Sequence, residues 1–175
     1  MVLIISLSFF DRLIQKQEKQ MSFKSINELD LFDVNLKKCS NEPQARDVWY
    51  FFKRFEKDSN PDDLTLAEES YFRTFLFCDP GNADSVKKAD FLKFLPIMAA
   101  KYKELGFKEK AVKKIRVIKL NENYLLADVI WKMKFEKNGK VLDIDDIRAT
   151  YILKNEEDGY KIIFQLDHQN PGDLI

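Results

Sequence analysis

The sequence YLLADVIWKMKFE, residues 124–136, sets the fold of this chain. Apolar and polar residues alternate along it, which is the pattern of a strand with one buried face. The apolar members are Leu125, Ala127, Val129, Trp131, Met133 and Phe135. Three more β-rich runs lie around it, over residues 110–120, 141–154 and 160–168. We therefore predict one antiparallel sheet of four long strands, whose apolar face needs a cover.

Two turn signals define how these runs connect. Asn138-Gly139 is typical of a two-residue hairpin, and residues 155–159 predict a second reversal. The first hairpin places one set of alternate side chains of the strand at 141–154 on the apolar side of the sheet, and the second hairpin places the other set there. One extra residue within this strand would satisfy both hairpins. We predict a β-bulge within residues 143–146. Its position decides whether Arg148 or Tyr151 faces the interior.

The residues before the sheet predict helices that cover it. A first helix begins at Asn41, which can cap it, and Val48, Phe52 and Phe55 recur at helical spacing. A second helix is expected over residues 61–75. Residues 22–40 show no sustained period and predict an irregular arm.

A short strand follows, over residues 75–78, and ends at Asp79-Pro80-Gly81 because proline cannot donate to a ladder. A third helix begins at about residue 85 or 90, and Gly106 ends it. Its apolar stripe consists of Phe91, Leu95, Met98 and Tyr102.

The composition bounds the function classes. The chain has 175 residues, of which 45% are hydrophobic and 33% charged, as expected for one soluble domain. Its net charge is zero, so no overall field attracts nucleic acid or an anionic membrane. Cys39 and Cys78 lie far apart, and the chain has one histidine, which argues against a zinc site or a disulfide framework. We expect no metal, no cofactor and a cytoplasmic location.

The ends of the chain are expected to lie outside the domain. We predict an extension or arm over residues 1–40, one domain over 41–170 and a tail over 171–175. The run MVLIISLSFF, residues 1–10, resembles a signal sequence, but no positive charge precedes it and no small-residue cleavage site follows. A signal or anchor, an extra amphipathic helix and an extension upstream of Met21 all stay open.

The order of elements resembles the nuclear transport factor 2-like superfamily. The residues that carry the likeness are 48–55 in the first helix, FCDPG at 77–81, Gly106, TYIL at 150–153, and DGYKI at 158–162 followed by DH at 167–168. The resemblance implies an α+β cone, in which a curved sheet wraps three helices and leaves a pocket. It also implies either a ketosteroid isomerase, scytalone dehydratase or polyketide cyclase type of enzyme, or a silent binding or dimerisation module.

The resemblance makes Asp79 the candidate general base, because ketosteroid isomerase uses the aspartate of the same strand-ending Asp-Pro. A turn-forming role is the alternative. The oxyanion tyrosine falls at Phe51, with Tyr50 beside it, and the buried acid falls near Ala149. Ketosteroid isomerisation then has no oxyanion donors, which argues against it.

The other candidates come from the last strands. His168 is expected on one face with Tyr160, Ile162, Phe164 and Leu166, where it could act as a base or simply bond a backbone carbonyl. Arg148 and Asp167 are expected to pair on the opposite face. Pocket candidates from the predicted helices are Tyr50, Phe51 and Tyr71, and those from the sheet are Trp131, Arg148 and Tyr151. For Tyr71, Trp131 and Tyr151 the alternative is a place in the core.

These observations predict a protein with a pocket for a small hydrophobic organic molecule. The enzyme hypothesis is a cofactor-free isomerase, dehydratase or cyclase. The alternative is a non-catalytic ligand-binding or interaction domain. We expect a homodimer through the convex face of the sheet, and neither nucleic acid nor a membrane as partner.

Overall fold

The computed structural model describes residues 31–35, 43–56 and 64–169, with residues 31–35 described by their backbone. The predictions for the signal-like run at 1–10 and for the tail at 171–175 lie outside these residues. Of the described helices, none is long and apolar enough to cross a membrane.

The fold is α+β, with a curved, unclosed sheet of seven strands in the described part of the chain. Its order is β1-β4-β5-β6-β7-β2-β3. The strands are β1 Leu31–Asn35, β2 Tyr71–Cys78, β3 Ala83–Lys87, β4 Phe107–Lys119, β5 Tyr124–Lys137, β6 Lys140–Glu156 and β7 Gly159–Asp167. The four long strands from β4 to β7 are antiparallel neighbours, as predicted. β2 joins β7 in parallel, so the sheet is mixed.

The described helices are α1 Pro43–Arg54, α2 Thr65–Ser70 and α3 Lys88–Glu104. α1 packs a buried stripe that includes Val48 and Phe52 on the apolar face of the sheet. The rings of Phe52 and Trp131 meet edge to face at 6.2 Å between centroids, and those of Phe52 and Tyr151 lie 4.8 Å apart. This aromatic contact joins the helical layer to the central strands.

Three predicted elements differ from the structure. Leu31–Asn35 is a strand paired with β4 and not an irregular arm. The second helix ends at Ser70, because Tyr71, Phe72 and Phe75 continue as β2, where Tyr71 and Phe75 alternate inward. Ala83–Lys87 is an added strand that pairs with β2, so the third helix begins only at Lys88.

The hairpin at Asn138-Gly139 is confirmed: Lys137 pairs with Lys140, and both turn residues have positive φ. The predicted bulge is confirmed as well. The register of β5 against β6 shifts between the pairs Trp131–Ile147 and Met133–Ile144, and Asp146 has a φ of 67°. The bulge directs Tyr151 towards the core.

Another bulge, in β7, has no signal in the sequence. Tyr151 pairs with Gln165, but Leu153 pairs with Ile162, so Ile163 is an extra residue in β7. Because side chains alternate along a strand, this extra residue exchanges the two faces beyond it. The expectation that Phe164, Leu166 and His168 share one face with Tyr160 and Ile162 is therefore wrong.

Gly106 occupies a backbone position that only glycine suits. Its φ is 87°, just after α3, and a Cβ there would lie 2.2 Å from the carbonyl oxygen of Glu136. The amide of Glu136 also donates to the carbonyl of Gly106 at 2.7 Å. The end of α3 is thus fixed on β5 by a close backbone contact.

We expect Gly106→Ala to lower the free energy of unfolding by about 3 kcal/mol, as the sum of a left-handed φ and a backbone clash. Gly139→Ala is the matched control, because Gly139 has a φ of 73° but a Cβ added there would meet no atom within 4 Å. It should cost only about 1 kcal/mol. Urea unfolding of both variants measures the difference, and equal losses would contradict the role of the close contact.

Candidate functional site

The inner face of the sheet and α3 enclose a cavity of about 680 Å³. This volume lies within the range of small-molecule sites, about 300–1,000 Å³. The lining is mostly apolar and aromatic, and includes Phe52, Phe55, Phe77, Phe91, Leu95, Met98, Trp131, Met133 and Ile162. The cone is therefore not filled by its own side chains.

The third helix forms one wall of this cavity. Phe91, Leu95, Met98 and Tyr102, the stripe expected from the sequence, all line it. None of the residues of α3 is fully buried. A helix whose apolar stripe lines a cavity and is only partly buried leaves room for a ligand.

A chain of hydrogen bonds crosses the polar part of the cavity. The hydroxyl of Tyr71 donates to Oε1 of Gln165 at 2.6 Å, and Nε2 of Gln165 donates to Oδ1 of Asp167 at 2.9 Å. β2 supplies Tyr71, and its neighbour β7 supplies Gln165 and Asp167. Since Tyr71 fixes the amide of Gln165, the amide holds the carboxyl of Asp167 in one orientation.

Burial raises the pKa of Asp167, and the nearby Asp79 charge adds to the increase. The hydrogen bond from Gln165 and the charge of Lys110 oppose this shift. A carboxyl with a raised pKa in an apolar cavity is suited to accept and return a proton.

The tyrosines of the cavity keep their protons. Burial raises the pKa of Tyr71 and of Tyr151 far above the ordinary tyrosine value, and burial also raises the pKa of Tyr102. Trp131 opposes the increase in the pKa of Tyr151 only in part. Because Tyr151 keeps its proton, its hydroxyl can donate a hydrogen bond to another group.

Lys110 brings a positive charge to the aromatic wall. Its ammonium nitrogen lies 5.3 Å from the ring centroid of Trp131 and 5.7 Å from that of Phe55. Both distances are typical of cation–π contacts.

The structure brings some of the predicted residues together. Tyr71, Trp131 and Tyr151 line the cavity. Arg148 also borders it, but its guanidinium donates to both carboxylate oxygens of Asp128, at 2.6 and 2.9 Å. The expected pair of Arg148 with Asp167 does not form, because the bulge at Ile163 turns Asp167 to the other face.

Asp79 and His168 lie outside the residues that line the cavity. Oδ1 of Asp79 accepts the amides of Gly81 and Asn82, each at 2.8 Å, and so closes the turn between β2 and β3. Nε2 of His168 lies 2.9 Å from the hydroxyl of Thr150 on the convex face. The two side chains are not joined by a described contact, and their catalytic roles stay predictions.

Tyr50 and Phe51 also lie away from the cavity. Tyr50 is 62% exposed, whereas Phe52 is buried. Because the two residues are two positions apart in α1, their side chains lie on opposite sides of the helix. Phe51 is buried against Phe52 and Tyr160. Both residues border a second, shallower surface depression.

Sequence reasoning missed Gln165 and Asp167, the two polar residues of β7 inside the cavity. Strict alternation from Tyr160 places both outside, and the extra residue Ile163 has no turn signal or glycine to mark it. Within the described residues, no group of three or more His, Cys, Asp and Glu side chains is arranged to hold a metal ion.

A family model described as "NTF2-like protein (DUF6841)" matches residues 48–170 of the chain. No curated protein matches this chain. A solved NTF2-like protein with a cystatin-like fold from Novosphingobium aromaticivorans is 10% identical, with 73% of this chain and 82% of that chain covered and a TM-score of 0.58.

Two further solved structures carry functional descriptions. A Shewanella frigidimarina protein described as a "putative ketosteroid isomerase" is 15% identical, with a TM-score of 0.52 over 67% of this chain and 90% of that chain. A Xanthomonas campestris protein described as a "putative calcium/calmodulin dependent protein kinase II association domain" is 14% identical, with a TM-score of 0.56 over 79% of this chain and 93% of that chain. At these identities the likeness shows the fold alone.

The raised pKa of Asp167 predicts a pH-dependent stability. Between the ordinary carboxyl pKa and the raised one, the folded protein binds more protons than the unfolded chain, so stability falls as pH rises through this window. Above the raised pKa of Asp167, the folded protein keeps this lower stability. We expect Asp167→Asn to raise the melting temperature at neutral pH and to flatten its pH dependence.

Thermal melts between about pH 4 and pH 8 measure this effect. Asp128→Asn is the control, because Arg148 and Thr150 bond that carboxylate and its loss should destabilise the protein. A lower melting temperature for Asp167→Asn at neutral pH would count against the burial of an unfavourable charge.

Proposed function

We propose that this chain, which belongs to the NTF2-like protein family DUF6841, binds a small apolar organic molecule and moves a proton on it without a cofactor. The observation that carries this proposal is a carboxyl with a raised pKa, Asp167, in an aromatic cavity of about 680 Å³. We also propose a cytoplasmic location, on two cysteines without CxxC spacing.

Proton abstraction next to a carbonyl suits these groups best. The carboxylate of Asp167 accepts the proton from carbon, and its raised pKa makes it a stronger base than an exposed aspartate. The negative charge then moves to the carbonyl oxygen. The hydroxyl of Tyr151, which lines the cavity and keeps its proton, donates to that oxygen.

This step is common to isomerases, dehydratases and cyclases, because each begins or ends at an enolate. The substrate supplies the leaving or attacking group, so the protein needs only a base and an oxyanion donor. Asp79 is the base expected from the resemblance, but its carboxylate accepts hydrogen bonds from the amides of Gly81 and Asn82 in the turn. Asp167 takes its place in this proposal.

An enolisable aromatic ketone such as β-tetralone tests the chemistry. We expect the protein to catalyse exchange of its α-hydrogens for deuterium in D₂O, measured by NMR. Asp167→Asn should reduce the catalysed rate at least about 100-fold, and Tyr151→Phe about 100-fold.

Asp79→Asn is the control for this experiment and should change the rate far less than Asp167→Asn, because its carboxylate lies outside the cavity lining and acts on Asp167 only through its charge. Full exchange activity in Asp167→Asn would refute the proposed base. Binding of the ketone without exchange in the wild type would favour a non-catalytic ligand-binding domain.

The convex face of the sheet supports a second function, association with another copy of the chain. One row of apolar residues crosses five strands there, each paired with the next: Ile118, Leu126, Ile152, Phe164 and Leu76. All five are partly exposed, and Leu76 is 40% exposed. A continuous apolar row of this kind is typical of an interface.

We expect a homodimer by light scattering, and Ile152→Lys should convert it to a monomer because it places a charge in the middle of the row. Val141→Lys is the matched control, since Val141 is 56% exposed at the start of β6 and away from the row. A monomeric wild-type protein, or a dimeric Ile152→Lys variant, would contradict this interface.

A further inference from the structure

The hydrogen bonds from Tyr71 to Gln165 and from Gln165 to Asp167 form a network whose direction is fixed by its members. An ionised carboxylate has no hydrogen to donate, so Gln165 must present its NH₂ group to Asp167, at 2.9 Å. Its carbonyl oxygen Oε1 then faces Tyr71 and can only accept, so the Tyr71 hydroxyl is the donor of that bond, at 2.6 Å. The network therefore runs one way and ends on Oδ1 of Asp167.

Tyr71 is held in place at the start of this network. Its ring centroid lies 4.7 Å from that of Phe75 and 4.7 Å from that of Phe91, and the residue is buried. Gln165 is buried as well. Because Gln165 accepts the one hydroxyl proton of Tyr71, Tyr71 has no proton left to donate to a ligand. Its effect on proton transfer therefore passes through Gln165.

The network makes the two carboxylate oxygens of Asp167 unequal. Oδ1 accepts from Gln165, whereas no residue in the described part of the chain donates to Oδ2. A donor stabilises negative charge on the oxygen that it bonds, which lowers the tendency of that oxygen to take a proton. Oδ2 is therefore the oxygen suited to accept a proton from a ligand.

Charged groups on other elements also act on Asp167. The charge of Asp79, in the turn after β2, raises the pKa of Asp167, and the charge of Lys110 on β4 lowers it. The tyrosines that feel the charge of Asp167 and keep their protons are Tyr71, Tyr102 and Tyr151. The other charged residues of the lining are Asp90 and Lys103 on α3, Lys108 on β4 and Arg148 on β6. Within the described residues, the hydrogen bond on the Asp167 carboxylate comes from Gln165.

We propose that Tyr71 and Gln165 are positioning residues for the proton transfer at Asp167: together they hold the carboxyl group so that Oδ2 receives the proton of the ligand. Gln165 supplies the hydrogen bond that orients the carboxylate, and Tyr71 fixes the amide that makes it. The inference rests on the proposed function and adds the residues that act through the base.

A pH titration followed by ¹³C NMR of the Asp167 carboxyl carbon tests the network without any ligand. Gln165→Met removes the donor and keeps the side chain long, so the pKa of Asp167 should rise by about one unit or more, as expected for the loss of a hydrogen bond to a charged group. Tyr71→Phe keeps the ring contacts and should raise the same pKa by less. If Gln165→Met does not fold, Tyr71→Phe tests the network alone. An unchanged pKa in the folded variants would overturn the proposal.

The double variant Tyr71→Phe/Gln165→Met distinguishes a network from two independent effects. Because Tyr71 acts through Gln165, its substitution should have no further effect once Gln165 is replaced, and Asp167 should have the same pKa as in Gln165→Met. Additive shifts would overturn the proposal. Tyr102→Phe is the matched control, since the Tyr102 hydroxyl lies in the cavity but is not a member of the network. A shift as large as that of Tyr71→Phe in this control would also overturn it.

The pH profile of the deuterium exchange of β-tetralone connects the network to the chemistry. The exchange rate rises as Asp167 loses its proton, so the midpoint of the profile should move to higher pH in Gln165→Met, by as much as the pKa measured by NMR. A midpoint that stays in place in an active Gln165→Met would overturn the positioning role and leave the proposed function standing. If the wild type catalyses no exchange, both proposals fall.

Discussion

The bulge at Ile163 is the constraint on which the chemistry of the cavity depends. One extra residue in β7 exchanges the faces of every side chain beyond it. Gln165 and Asp167 therefore turn into the cavity, and His168 turns out to Thr150. Without the bulge the cavity would hold Phe164 and Leu166 instead, and its wall would have no acid in this strand.

Two helices cover the inner face of the sheet in different ways: α1 packs on the central strands, and α3 forms a wall of the cavity. α1 packs Phe52 directly on the rings of Trp131 and Tyr151. The apolar stripe of α3 lines a cavity that lies between this helix and the strands. The close contact of Gly106 with Glu136 fixes the C-terminal end of α3 on β5, although none of its residues is fully buried.

Asp167 shows how such a site costs stability. Its carboxyl is kept in an apolar environment that raises its pKa, and the hydrogen bond from Gln165 offsets only part of this penalty. Folding alone would favour an apolar residue at this position. A partly buried and oriented acid in the lining of a cavity is the pattern expected of a functional group.

Four long antiparallel strands, the hairpin at Asn138-Gly139 and the bulge near Asp146 could all be predicted from the sequence, because alternation and turn chemistry are local. Alternation and the bulge also made Trp131 and Tyr151 pocket candidates, whereas Tyr71 was expected in a helix and lies in β2. The polar side of the site depends on tertiary structure. The extra residue Ile163 has no local signal, and only its pairing with the neighbouring strands reveals that Asp167, and not Asp79 or His168, faces the cavity.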